Sequence, residues 1–246
     1  MIGNSHICVD KVTYKYPDDF KAIDEISFSV NVGEKIGIIG VNGAGKSTIL
    51  QLLTGLFTAT EGKIFIDNIE FTKKTLRDIR KKIGFIFQDS DNQLFMNTVY
   101  EDIAFGLRSG GLEEYIVKEK VEDIIKQMNI EHLTDKSIYK LSGGQKRMVA
   151  IAGILVMNPR ILLMDEPTAA LDPKSRRILI NTLKELPQTN IIATHDLDMI
   201  MDLCSRVIIL NNGKVVADGI VDNLLRDKEL MEKCNLELPL SLQNKI

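Results

Sequence analysis

At 246 residues the chain is near the upper size for one hydrophobic core, and its 44% hydrophobic and 26% charged content excludes a disordered or collagen-like polymer. A formal net charge of −3 excludes a general electrostatic pull toward DNA, RNA or an anionic lipid surface, so no nucleic-acid partner is expected. Cys8, Cys204 and Cys234 are odd in number and lack metal-type spacing, which argues against a disulfide framework or zinc site and for a reducing compartment.

Residues 1–10 carry no charged leader followed by an apolar run. Nowhere does the chain approach the roughly 20 apolar residues of a membrane span, so any membrane role is expected to come through another chain. Residues 12–16 and 26–32 alternate apolar and polar positions as half-buried strands do, around a turn at Pro17, Asp18 and Asp19. The run 35–39 reads as a short buried strand, followed by a glycine-rich turn and a helix over 47–55, the order of a nucleotide fold. Strand-like runs recur at 64–69 and 83–88. Between 92 and 158 the pattern turns helical, at 98–106, at 113–128 with Val117, Val121, Ile124, Ile125 and Met128 in register, and at 142–157. Buried strands return at 161–164, 191–194 and 207–210, alternating with helices at 175–185 and 197–204, which implies a largely parallel sheet covered on both faces. The tail from Gly219 reads as one or two short helices, with a turn at Leu238, Pro239 and Leu240.

Gly40-Val41-Asn42-Gly43-Ala44-Gly45-Lys46-Ser47 satisfies GxxxxGK[ST] directly after an apolar strand and directly before a helix, and Thr48 continues that helix. Backbone N–H groups wrap phosphates only where side chains do not obstruct them, hence the glycines, and the helix points its positive end at the same anions. Lys46 is expected to neutralise the β- and γ-phosphates and the Ser47 hydroxyl to ligate Mg²⁺. Asp165 and Glu166 close the apolar run 161–164, at the strand end where open α/β sheets bind ligands. Alone, such acids read as a solvated loop start. Beside the Lys46 loop, Asp165 is expected to hold Mg²⁺ and Glu166 to polarise the attacking water.

Leu141-Ser142-Gly143-Gly144-Gln145 resembles the signature motif of the ATP-binding cassette family. Ser142, Gly143, Gly144 and Gln145 open a helix, so donors at its positive end suit a γ-phosphate, and the resemblance implies that this phosphate belongs to the nucleotide of the opposite subunit. It further implies that Tyr16 stacks on adenine, that Gln88 reaches Mg²⁺ and the attacking water, that Asp172 lies in the loop linking two active sites, and that His195 contacts the γ-phosphate. Read alone, Tyr16 is a strand-packing aromatic, Asp172 a helix entrance before Pro173, and His195 a structural histidine. The segments Phe87 to Phe95, Thr98 to Gly106 and Gln145 to Ala152 resemble the cobalt/nickel-type ATPases of energy-coupling factor importers, in which the stretch after the glutamine forms an extra short helix facing the membrane subunit. Ser90 stands where that group commonly has proline.

The resulting expectation is one α/β domain: a P-loop NTPase core with a mostly parallel sheet (35–88 and 159–218), an antiparallel β part (1–34), an inserted helical lobe (89–158) and a C-terminal extension (219–246). The resemblance implies ATP and Mg²⁺ as ligands, a homodimer or a heterodimer with a second cassette, and integral membrane transporter subunits that hold the chain at the cytoplasmic face of the membrane. The cargo stays open between cobalt or another transition metal and a vitamin. A soluble cassette ATPase usually carries two cassettes or a long coiled-coil insert. A regulatory, non-hydrolysing module is expected to lose Lys46, Glu166 or His195, and this sequence keeps all three.

Overall fold

The structure, a computed structural model, describes residues 5–243. The outermost parts of the expected β part and C-terminal extension, 1–4 and 244–246, lie outside that range, as does the start of the 1–10 segment. In chain order the strands are β1 (Ser5–Lys15), β2 (Lys21–Asn31), β3 (Lys35–Ile39), β4 (Glu61–Ile66), β5 (Ile69–Glu70), β6 (Ile83–Ile86), β7 (Ile161–Asp165), β8 (Thr189–Ala193), β9 (Arg206–Asn211) and β10 (Lys214–Ile220). The helices are α1 (Lys46–Leu53), α2 (Leu76–Arg80), α3 (Val99–Ser109), α4 (Glu114–Gln127), α5 (Gly143–Leu155), α6 (Pro173–Glu185), α7 (Leu197–Leu203), α8 (Val221–Arg226), α9 (Lys228–Lys233) and α10 (Leu240–Gln243). The chain divides into two compact units, one from Met1–Ile83, Ile161–Glu166 and Pro187–Ile246, the other from Gly84–Arg160 and Pro167–Leu186.

In the first unit, β3 lies between β8 and β9, with β7 beside β8, all parallel. Every residue of β7 and β8 is buried, the pattern of strands covered on both faces. Their carboxyl ends carry Asp165 and the Thr194-His195 pair, while β3 runs directly into the glycine-rich loop. A separate antiparallel sheet has the order β2-β1-β4-β5. The antiparallel part therefore extends past 1–34 to include Glu61–Glu70. Asp67 and Asn68, at φ 50° and 61°, split the expected 64–69 run with a two-residue turn of the left-handed kind that Asp and Asn tolerate.

One buried polar network ties this sheet to the core. The His6 ring, 1% exposed, bonds Thr189 Oγ1 through Nδ1 at 2.6 Å and meets Asp67 through Nε2 at 3.2 Å, while Lys82 Nζ holds the other Asp67 oxygen at 2.6 Å. Strand β10, absent from the sequence expectation, pairs antiparallel with β9 across the left-handed turn Asn212-Gly213. None of its residues is fully buried, so it lacks the apolar run that marks the central strands. Among the described residues the tail then forms three short helices rather than one or two. The last is fastened to α7: the Leu240 and Ser241 N–H groups donate to the two carboxylate oxygens of Asp198, each at 3.1 Å.

In the second unit, α3, α4 and α5 pack together through Ile103, Leu107, Val117, Val121, Ile124, Met148 and Ile151, all buried. Each such aliphatic side chain contributes about 1.5–3 kcal/mol. Thr98 starts α3 by accepting the Glu101 N–H. Helix α6 belongs to this unit and packs on α5, burying Leu179, Ile180 and Leu183.

Candidate active site

The loop after β3 closes on itself around Lys46. The Lys46 ammonium, in a residue only 8% exposed, donates to the carbonyls of Gly40 at 2.7 Å and Val41 at 3.2 Å. Burial pushes its pKa below the ordinary lysine value, and the negative charges of Glu166 and then Asp165 oppose that shift. Those two carboxylates therefore act on the same cation from the end of β7. Gly45, at φ 104°, begins α1 in a conformation L side chains rarely adopt, and a Cβ there would stand 2.8 Å from the Ala22 carbonyl oxygen. Asn42 and Gly43 are exposed on the loop, Ala44 is buried beneath it, and Ser47 and Thr48 lie in the first turn of α1. The Thr48 hydroxyl bonds the Tyr16 Oη at 3.1 Å, which brings the expected aromatic to the loop.

Tyr16 belongs to a ring cluster. Phe20 stacks on it at 6.4 Å between centroids, and Tyr14 and Phe57 meet it edge-on at 5.1 and 5.7 Å. Phe20, just after the Pro17-Asp18-Asp19 turn, is 58% exposed.

Glu166 is 7% exposed and sits at φ 49°, unusual for a residue with a side chain. Its N–H donates to the Ala193 carbonyl at 2.8 Å. Carboxylate Oε2 accepts the Thr194 hydroxyl at 2.8 Å and the His195 N–H at 3.3 Å, and the His195 Nδ1 lies 2.9 Å away. The His195 side chain is 76% exposed. Thus Lys46, Ser47, Asp165, Glu166 and His195 gather at the ends of β3, β7 and β8. Ser47 and Asp165 are hard oxygen donors of the kind Mg²⁺ takes alongside substrate phosphates, so the set fits that ion. Among the described residues no cluster of three or more His, Cys, Asp and Glu forms a dedicated metal cage.

The remaining expected residues lie in the second unit. Ser142 caps α5: its Oγ accepts the Gln145 N–H at 3.3 Å while Gln145 Oε1 accepts the Ser142 N–H at 3.0 Å, a reciprocal capping box. Ser142 and Gly143 are exposed. Gly144 is packed so closely that a Cβ would come within 2.8 Å of the Ala170 carbonyl oxygen. Asp172 caps α6, accepting the N–H groups of Lys174 and Ser175 and the Ser175 hydroxyl, and these bonds, led by that hydroxyl, hold its pKa below the ordinary value. A cavity of about 530 Å³ lies against Ser142–Gln145, with Met128, Ala170 and Asp172 in its wall. Gln88 is exposed just beyond β6, followed by the short 3₁₀ turn Ser90–Asn92.

Sequence reasoning missed Arg147. Only 2% exposed, it donates to the carbonyls of Phe87, Gln88 and Pro167 and so fastens the signature helix to the segment carrying Gln88. Gln93 adds a second tie, donating to the Ala150 carbonyl at 2.7 Å and accepting the Phe87 N–H.

A phosphate-binding loop on a parallel sheet, with a Lys, two acids and a separate capped signature helix, defines an ATPase cassette. The family described as ABC transporter matches residues 23–169, and the chain belongs to it as an ATP-binding, ATP-hydrolysing member. It is 41% identical to the energy-coupling factor transporter ATP-binding protein EcfA3 of Clostridium perfringens, over 94% of this chain and 83% of that one. To EcfA2 of Caldanaerobacter subterraneus it is 43% identical, over 95% and 85%. Among solved structures, cbiO1 from Clostridium perfringens, part of the ABC transporter complex cbiONQ, superposes with a TM-score of 0.82 at 39% identity, covering 95% of both chains. A dimeric ATP-binding cassette bound to ADP and Pi gives 0.80 at 31%, covering 87% of this chain and 98% of that one.

Proposed function

We propose that two cassettes of this kind, identical or paralogous, close around two ATP molecules and drive an energy-coupling factor importer. The reading rests above all on Glu166, a buried carboxylate beside the Lys46 loop whose orientation is fixed by Thr194 and His195. In it, loop amides and the head of α1 take the phosphates and Lys46 neutralises them. Ser47 and Asp165, and on the resemblance Gln88, would hold Mg²⁺, which would supply neutralisation of phosphate charge. Glu166 orients the attacking water, His195 contacts the γ-phosphate, and Tyr16 stacks on adenine. Ser142, Gly143, Gly144 and Gln145 of the second cassette complete the site, and Asp172 links the two sites. Because those contacts exist only in the closed pair, nucleotide binding favours closure and hydrolysis reverses it.

Among the described residues no helix is long and apolar enough to cross a membrane. The reading therefore assigns transport to separate membrane subunits, against which the chain sits at the cytoplasmic face. The exposed pair Phe95 and Phe105, packed edge-to-face at 4.6 Å in the stretch after Gln88, supports that contact. The cargo we propose, from the cobalt/nickel-type resemblance, is cobalt or another transition-metal ion.

The test is Glu166→Gln. Turnover, read as phosphate release, falls at least about 100-fold while ATP-bound dimers persist in size-exclusion chromatography. Normal turnover in that variant would remove Glu166 from the chemistry. A variant that stays monomeric with ATP at high concentration would remove the closed pair.

A further inference from the structure

Thr194 is 0% exposed at the end of β8, its N–H bonded to the Ile38 carbonyl of β3 at 3.2 Å. The Asp196 N–H donates to its Oγ1 at 3.0 Å, which directs the hydroxyl proton to the Glu166 Oε2 at 2.8 Å. A relay thus runs from the head of α7 through one hydroxyl to the carboxylate. Two of the other donors to that oxygen come from His195, and the ring is one of them. A ring 76% exposed has room to move, and in the proposed function it also contacts the γ-phosphate, which Nε2 can do while Nδ1 stays beside Glu166. Thr194 has no such freedom: its backbone is held by β3, and its side chain is enclosed and χ1-restricted by β-branching.

Resting on Glu166 as the catalytic carboxylate, we infer that Thr194 is a positioning residue: its hydroxyl holds the Glu166 carboxylate in place from the enclosed side, opposite in character to the exposed His195 ring that contacts the nucleotide. Nothing in the Thr194 side chain needs to touch ATP. The Glu166 backbone, at φ 49°, is held by its N–H bond to the Ala193 carbonyl, so the Thr194 hydroxyl acts on the carboxylate end of the side chain.

The experiment compares Thr194→Val, which keeps the shape and removes the hydroxyl, with Thr194→Ser, which keeps the hydroxyl, in full-length protein. Losing a hydrogen bond to a charged group at this position lowers kcat about ten- to a hundredfold in Thr194→Val. The KM for ATP stays within about twofold, and Thr194→Ser recovers most of the lost rate, because only a group bound more tightly in the transition state is disturbed. In a Glu166→Gln background, whose residual rate is read in single turnover, Thr194→Val has no further effect. A wild-type kcat in Thr194→Val, an equal loss in Thr194→Ser, or a full additional loss in the Glu166→Gln background each overturns the inference while leaving the proposed function standing. A Glu166→Gln protein that hydrolyses ATP normally overturns both.

Discussion

In the first unit the charged groups of the candidate site are buried, Lys46, Asp165 and Glu166 being 8%, 5% and 7% exposed, whereas in the second Ser142 and Gly143 face solvent at the head of α5. Buried charges are costly without partners, and here each sits beside others already in place: Lys46 on loop carbonyls, Glu166 on Thr194 and His195. The charges of the first site are held by groups of the chain itself. Ser142 and Gln145 stabilise the start of α5 through their capping box, while the exposed Gly143 leaves that helix head accessible to solvent. Beneath that open surface, however, Arg147 is as buried as any residue of the first site.

Substitutions can break or sharpen that contrast. The largest effect belongs to Arg147→Ala, which leaves three carbonyls without their donor and lowers unfolding stability by about 3–5 kcal/mol in urea titrations. A loss below about 1 kcal/mol would show that the signature helix is not fastened from beneath. Next, Gly45→Ala puts a Cβ against Ala22 at a positive φ and costs about 2–3 kcal/mol, with loss of ATP binding by calorimetry. Smallest in stability is Gly143→Ala, where a Cβ meets nothing within 4 Å, so the unfolding midpoint moves by less than about 0.5 kcal/mol equivalent. On the proposed reading turnover still falls in this variant, and only where dimers form. If Gly143→Ala destabilised the chain as much as Gly45→Ala, the contrast between a buried and an exposed site would fail.

The phosphate loop and the acids of β7 were legible because their chemistry demands particular letters: amides need glycine, and charge at a buried strand end has no bland purpose beside a Lys loop. The central strands were legible as continuous apolar runs, and α4 as the spacing of Val117, Val121, Ile124 and Ile125. Strand β10 was not, because its residues are at most half-buried, and its only local mark is the Asn212-Gly213 turn pair. Thr194 reads as an ordinary β-branched end to a strand, and Arg147 as one more cation on a helix that also bears Lys146. Their roles depend on partners 28 and 60 residues away, which no local pattern encodes.

The sequence contains no tryptophan, and Phe20 lies over Tyr16 with more than half its surface in water. Phe20→Trp would therefore give the protein a single long-wavelength emitter at the aromatic corner, without a cavity to fill. Titrating ATP against its fluorescence would then report the arrival of the base optically, in a chain otherwise dark at that wavelength, and an emission spectrum that never moved would place the adenine elsewhere.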